Sequence, residues 1–166
     1  MKKIVFLLFI LILICVYKGR KKEILIPNEA IRIRIIANSN SIADQKLKSD
    51  VKNEVNSYIY NKLSKIDSYK KADIVLKENL NNIYGIVGEH TDNFNIYYGN
   101  NYFPEKEYKG VNYKEGNYNS LVITLGKAEG ENFWCVLFPP LCLIDEEKMD
   151  NNSYELYVLK LLKKIK

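Results

Sequence analysis

The chain has 166 residues, of which 47% are hydrophobic and 27% are charged, a balance typical of one globular domain with a substantial core. The formal net charge is +5. Residues 1–22 contain six basic and no acidic residues, which leaves 19 basic and 20 acidic residues in the rest of the chain. A body with almost no net charge argues against sequence-independent binding to nucleic acid.

The N-terminus reads Met-Lys-Lys, and 14 uncharged residues follow from Ile4 to Tyr17. As a helix this run spans about 21 Å against ~30 Å of hydrocarbon, which favours a signal peptide. No small-x-small cleavage site follows, and Lys3 and Lys18 can snorkel, so a short uncleaved anchor stays open. We predict that residues 1–22 are an export signal or a short membrane anchor and that residues 23–30 are a linker.

The folded domain is predicted to begin near Ile31, with a strand that ends at Ala37. Its residues alternate strictly: the isoleucines at odd positions share the core face, and Arg32 and Arg34 share the other face. Two helices should follow over residues 42–64 and 69–88, since apolar residues recur there at helical spacing. Ser41 and Asp44 supply an N-cap signal for the first of them.

After His90 the pattern changes from helix to strand. Strands are predicted at 94–98 and 118–125, with an irregular extended stretch at 102–109 and a loop at 113–117. A further strand, residues 133–138, is joined to 118–125 as a hairpin with a longer loop. A third helix should follow at about 152–166.

The strand at 133–138 is apolar on both faces. Alternation places Phe133, Cys135 and Leu137 on one side, and Trp134, Val136 and Phe138 on the other. Such a strand is either central and covered on both sides, or has one face that only a partner covers.

The element order is strand, two helices, several strands and a helix. It predicts an α+β fold with a mixed, largely antiparallel sheet of four to five strands and helices on one face. Residues 31–166 should form this single domain.

Residues that could carry chemistry are sparse. His90 is the only histidine, and the spacing of Cys135 and Cys142 matches neither a Cys-x-x-Cys motif nor a zinc site. No phosphate-binding loop or carboxylate pair stands out, so we predict no catalytic residues, metal, cofactor or small-molecule substrate. The residues favour a binding module. Two alternatives are a secreted thiol-dependent hydrolase or disulfide exchanger using Cys135 or Cys142, and an envelope protein anchored by Ile4–Tyr17.

Four segments resemble a known family in type and order. They are Ile31–Ser41 with Asp44-Gln45, then Phe103-Pro104-x-Lys106-x-Tyr108, Gly116 with Tyr118, and Asn132–Cys142. Together they are similar to the stage II sporulation protein R family over roughly residues 31–145. Two departures stand out: Phe133 replaces a tryptophan usual in the family, and no Pro-Ala precedes Gly116.

The resemblance implies a developmental signal instead of an enzyme. Members of the family are exported across the forespore membrane into the intermembrane space of sporulating cells. There they activate the sporulation sigma-E-factor-processing peptidase, a membrane-embedded aspartic protease that processes pro-sigma-E. This implies membrane contact through residues 4–17 and a docking face on the folded domain.

A docking face needs an apolar anchor and a polar rim. Trp134, Phe138 and the two following prolines are candidates for the anchor, although core packing explains them equally well. The full set of predicted partner-binding residues is Arg32, Arg34, Asn38, Lys106, Trp134, Phe138, Pro139 and Pro140. Because export permits oxidation, we also predict a disulfide between Cys135 and Cys142, with two buried thiols as the alternative.

Overall fold

The computed structural model describes residues 24–25, 29–108, 111–142 and 150–164. The predicted export signal or anchor, residues 1–22, lies outside the described residues. Among those described, no helix combines the length and the apolar character needed to cross a membrane.

A four-stranded mixed sheet forms the centre of the domain. Its strands are β2 (Ile31–Ile36), β3 (Phe94–Phe103), β6 (Gly116–Leu125) and β7 (Asn132–Phe138). Their order is β3-β6-β2-β7, in which β2 pairs parallel with β6 and antiparallel with β7, and β3 pairs antiparallel with β6. The predicted α+β class with a mixed, largely antiparallel sheet is confirmed.

The predicted hairpin between β6 and β7 is wrong, because β2 lies between them. The connecting loop instead bonds to the end of β2: Gly130 N–H donates to Ala37 O at 2.9 Å, and Glu129 N–H donates to Asn38 O at 3.1 Å. Strands two positions apart are separated by roughly 10 Å, a distance that this loop is long enough to span.

A second, three-stranded sheet has the order β1-β5-β4. Its strands are β1 (Ile24–Leu25), β4 (Lys106–Tyr108) and β5 (Val111–Tyr113). The prediction of a linker over residues 23–30 needs correction, because β1 pairs parallel with β5 and Ala30 is buried. The stretch around Pro104 is likewise more regular than predicted, since β3 continues to Phe103 and β4 begins at Lys106.

Four helices are described: α1 (Ile42–Leu63), α2 (Tyr69–Glu78), α3 (Leu80–Gly88) and α4 (Asn151–Lys164). Ser41 caps α1 as predicted, with its side chain accepting from the Asp44 N–H at 3.1 Å. The predicted helix over residues 69–88 is divided at Asn79. There the Asn79 amide donates to Val75 O at 2.7 Å and accepts from the Tyr58 hydroxyl at 2.6 Å, which ends α2 and ties the break to α1.

The sheet is covered differently on its two faces. Helices α1 to α3 pack on the face of Ile31, Ile33 and Ile35 and form the larger core, as the alternation predicted. A second cluster on the opposite face includes Phe103 and Tyr118, the small sheet and helix α4. This second cluster covers only one end of that face.

Strand β7 lies at an edge of the main sheet. Its two apolar faces are therefore not explained by a central position in the sheet, which was one of the two alternatives. Its pairing with β2 is irregular between Ile31 and Arg32: their partners are Phe138 and Val136, so Leu137 is passed over. Such a bulge resets the side-chain alternation. Phe138 therefore packs in the larger core with Leu137, and its predicted position on the face of Trp134 is wrong.

Candidate functional site

Arg32 lies at the centre of an aromatic cluster on the face of the sheet opposite helices α1 to α3. Its guanidinium carbon is 3.7 Å from the ring centre of Tyr118, 5.1 Å from that of Phe103 and 5.9 Å from that of Tyr113. One Arg32 nitrogen, Nη2, donates to Lys114 O at 3.1 Å. A guanidinium stacks well on such rings because it is planar and only weakly hydrated.

Trp134 continues this cluster towards the uncovered end of the face. Its ring meets that of Phe103 edge-on, with 5.4 Å between the centres. The Arg34 guanidinium lies 5.3 Å from the Trp134 ring and the Lys106 ammonium 5.8 Å from it. Arg34 is the register partner of Trp134 across the β2–β7 ladder, so the alternation of β2 places this cation on the tryptophan.

A cavity of about 200 Å³ opens beside the cluster. We call it the β7 pocket, after the strand whose residues Asn132 to Val136 form one of its sides. Its remaining walls come from β2, the end of β3 and the small sheet. The residues on these walls are Arg32, Phe103, Lys106, Tyr108 and Tyr113.

The β7 pocket is electropositive. Two cations, Arg32 and Lys106, line it, and no carboxylate lies among its described lining residues. Burial lowers the pKa of Arg32, an effect opposed by the neighbouring Tyr118 and Tyr113. An arginine stays charged in proteins even so, because its ordinary pKa is far above neutrality.

Comparison with known proteins identifies the kind of chain that carries this pocket. The sequence pattern of a family described as Stage II sporulation protein R matches residues 27–148. The chain belongs to the stage II sporulation protein R family. The matched range includes the described strands β2 to β7 and the β7 pocket. It ends before α4. The resemblance inferred from the sequence is thereby confirmed.

A curated relative supports the same assignment. Stage II sporulation protein R of Bacillus subtilis (strain 168) is 37% identical to the chain over 134 residues. The match covers 77% of the chain but only 60% of the length of that relative. No solved structure matches the chain.

The turn that follows β2, part of the segment that resembles the family, is held by side-chain hydrogen bonds. Asn38, predicted as a partner-binding residue, uses its side-chain amide within the fold: it donates to Asp44 at 2.9 Å and accepts from the Lys127 N–H at 2.9 Å. Asn40 similarly accepts from the Glu131 N–H at 2.7 Å. Gly126 adopts a left-handed φ of 56°, and a Cβ there would collide with Asn38. The turn thus joins the start of α1 to the β6–β7 loop.

The other predicted partner-binding residues divide between surface and core. Trp134 and Arg34 are half-buried, and Lys106 is exposed. Arg32 is only 3% exposed, which corrects its predicted position on a polar rim. Phe138 is 1% exposed and cannot serve as a surface anchor. Pro139 is buried and Pro140 is half-buried, so this end of the segment supports the fold more than it presents a surface.

The cysteines and the histidine lie in separate sets of contacts. Cys135 and Cys142 are joined as a disulfide with 5.6 Å between their Cα atoms. His90 contacts Glu54 of α1 instead of either cysteine. Within the described part of the chain, no three His, Cys, Asp or Glu residues are grouped in a way that could hold a metal ion.

The sequence interpretation missed the aromatic residues of the site. Phe103, Tyr113 and Tyr118 come from three different strands, and only folding brings them onto Arg32. Tyr97, on the uncovered end of the same sheet face, is 57% exposed and was also missed. The available signal was the excess of tyrosine, 13 residues in the chain, concentrated after residue 90.

Proposed function

We propose that the chain is an exported signal of endospore formation that switches on the membrane-embedded aspartic peptidase processing pro-sigma-E. Membership of the stage II sporulation protein R family supports a role in sporulation. Because the match spans 60% of the curated relative, its activity and partner come to this chain as proposals.

In this proposal the chain is made in the forespore and acts in the intermembrane space. Residues 4–17 bring it to the membrane, either transiently as an export signal or as a tether. The two lysines before the apolar run support an export signal, whereas the four basic residues after it lie on the side that must cross, which the positive-inside rule opposes.

The observation that carries a docking role is the position of Trp134. It lies half-buried at an edge strand, with Arg34 and Lys106 against its ring, next to a part of the sheet that the second cluster leaves uncovered. Tryptophan, tyrosine and arginine are the residues that most often dominate binding energy at protein interfaces. We assign the docking face to Arg34, Tyr97, Lys106 and Trp134.

Activation then works by population shift. A ligand moves a two-state protein only if it binds the active arrangement more tightly than the resting one. Moving the peptidase from 1% to 99% active requires a preference of roughly 10⁴-fold, or about 5.5 kcal/mol. A cluster of aromatic and arginine contacts is large enough to supply a preference of this size.

Co-expression in a non-sporulating bacterium tests the proposal. The host carries the processing peptidase and pro-sigma-E, with or without the chain, and conversion to sigma-E is followed by immunoblot. We expect conversion only when the chain is present. The signalling role would be refuted if the exported, folded chain gave no conversion in a host whose peptidase responds to the Bacillus subtilis relative.

A further inference from the structure

The buried guanidinium of Arg32 has fewer hydrogen-bond partners than donors. It has five N–H donors, and its partners among the described residues are Lys114 O, which accepts from Nη2, and the Tyr118 side chain. Its Nε is buried without a partner, and the residue as a whole is only 3% exposed. Buried polar groups almost always have partners, so a guanidinium with unused donors at the wall of the pocket suits an acceptor that enters it.

The size and charge of the β7 pocket limit what that acceptor is. Its volume of about 200 Å³ is below the ~300–1,000 Å³ of typical small-molecule sites. It therefore suits one side chain better than a cofactor. Arg32 and Lys106 line the pocket without a carboxylate among its described lining residues, which favours an anionic group carried on an apolar stem.

The pocket also follows the edge of a strand. Five consecutive residues, Asn132 to Val136, line it. Since neighbouring side chains of a strand point to opposite faces, consecutive lining residues mean that the pocket runs along the backbone edge. In the described structure β7 pairs only with β2, and Val136 O accepts from the Leu141 N–H at 3.1 Å in the turn that follows. The outer edge from Asn132 to Cys135 therefore has no strand partner in the described structure. Such an edge accepts an added strand.

We infer that β7 binds an extended acidic segment of a partner protein, which adds a strand to the sheet edge and places one carboxylate side chain in the β7 pocket. Arg32 and Lys106 receive the carboxylate, and the backbone of β7 supplies sequence-independent hydrogen bonds. Naming the partner as the processing peptidase rests on the proposed function; the binding mode itself does not.

Trp134 makes the binding measurable, because it is the only tryptophan of the chain and lines the pocket. The full chain, purified in detergent, is titrated with end-capped peptides of about eight residues, the length of a strand. They alternate valine and threonine around one central glutamate or, as a control, glutamine. We expect the glutamate peptide to change Trp134 fluorescence with a roughly tenfold lower Kd than the glutamine peptide.

Two cation variants form a matched pair. Lys106→Gln and Lys52→Gln each remove one charge beside an aromatic ring of β7, but only Lys106 lines the pocket. We expect Lys106→Gln to remove most of the preference for glutamate and Lys52→Gln to leave it within about twofold. Both are far less buried than Arg32, so folding is expected to persist. Equal Kd values for the two peptides on the unaltered chain, or no fluorescence change with either, would overturn the carboxylate site.

Backbone methylation tests the strand addition. In an added strand, alternate N–H groups of the glutamate peptide point towards β7 and the others point away from it. A peptide methylated on the nitrogens that face β7 should lose binding. A peptide methylated on the other nitrogens should keep it. Unchanged binding by both would overturn the added strand. Because these titrations contain no peptidase, their failure alongside successful co-expression would reject this binding mode and leave the signalling role standing.

Discussion

Arg34 and Arg32 show how two adjacent positions of one strand face come to differ. Both lie on the same side of β2, but Arg32 is enclosed by rings from three other strands, whereas Arg34 remains half-buried against Trp134. Arg34 is therefore available to a partner, and Arg32 is available only to a group that enters the β7 pocket.

Reversing the charge of Arg34 tests the docking face. We expect Arg34→Glu to reduce sigma-E production in the co-expression assay about tenfold, as for an interface arginine worth ~1.4 kcal/mol. The lost contact with Trp134 is worth only about 0.5–1 kcal/mol, so the thermal midpoint should barely move. Lys65→Glu, the same reversal at an exposed residue beyond α1, is the control. Equal processing by both variants would contradict this docking face.

Asp44 stabilises the turn after β2 in a pH-dependent way. Hydrogen bonds from Ser39 and Asn38 hold the pKa of Asp44 below its ordinary value. A lowered pKa in the folded state means that the carboxylate stabilises the fold above about pH 3.9, the value expected in the unfolded chain. This stabilisation is lost as pH falls through the lower folded pKa.

The expected consequence is a difference in melting between the unaltered chain and Asp44→Asn. Circular dichroism should show a lower thermal midpoint for the variant at neutral pH and a narrowing gap below about pH 4. Asp92→Asn, the same change in an exposed loop, is the control and should have the thermal midpoint of the unaltered chain at neutral pH. A gap that stays constant down to pH ~2 would show that Asp44 acts through something other than its charge.

The alternation of Ile31–Ile36 was sufficient to predict which face of β2 is core and which carries the arginines. It was insufficient to predict the burial of Arg32, because the covering rings lie about 70 to 85 positions away in sequence. A strand pattern records which residues share a face, but the contacts that bury them depend on strand order.

At the scale of elements, the strands themselves were easier to predict than which strands pair with each other. Alternation in β2 and β6, and the aromatic and β-branched run of β7, identified each strand, yet the predicted hairpin between β6 and β7 was wrong. Consecutive strands usually pair, and nothing local indicates that an earlier strand has inserted between them. The helix break at Asn79 was missed for a related reason, since it depends on the hydroxyl of Tyr58 in another helix.

The bridge between Cys135 and Cys142 fixes the turn that follows β7. It spans a sequence separation of 7, and closing so short a loop contributes about 2–3 kcal/mol on the chain-entropy model. We expect the Cys135→Ser/Cys142→Ser double variant to melt roughly 5–10 °C lower and still promote sigma-E processing. Mass spectrometry of the unaltered exported chain should find no free thiol at either position.

The same variant separates a ligand from a thiol-dependent enzyme. An exchanger or hydrolase that uses Cys135 or Cys142 loses all activity in the double variant, however well it folds. Complete loss of processing by a folded double variant would therefore support the enzyme and contradict the structural role of the bridge.

At the scale of the molecule, the folded unit begins earlier than the sequence suggested. The strand β1, inside the predicted linker, pairs with β5 of the small sheet that supports the β7 pocket. Replacing residues 1–22 with a cleavable signal peptide should preserve processing, because β1 is retained. Replacing residues 1–27 removes β1 and should lower both the thermal midpoint and the processing. Complete loss of processing in the first fusion, with the domain folded and exported, would mean that activation requires the membrane anchor.

In the proposed function the chain acts as a signal from outside the cytoplasmic membrane. The most direct measurement compares conversion of pro-sigma-E in a non-sporulating host that carries the processing peptidase and either exports the chain or retains it in the cytoplasm without residues 1–22. At matched amounts of folded protein, we expect conversion with the exported chain and none with the retained one. Equal conversion by both chains, or none by the exported chain, would refute signalling from outside the membrane.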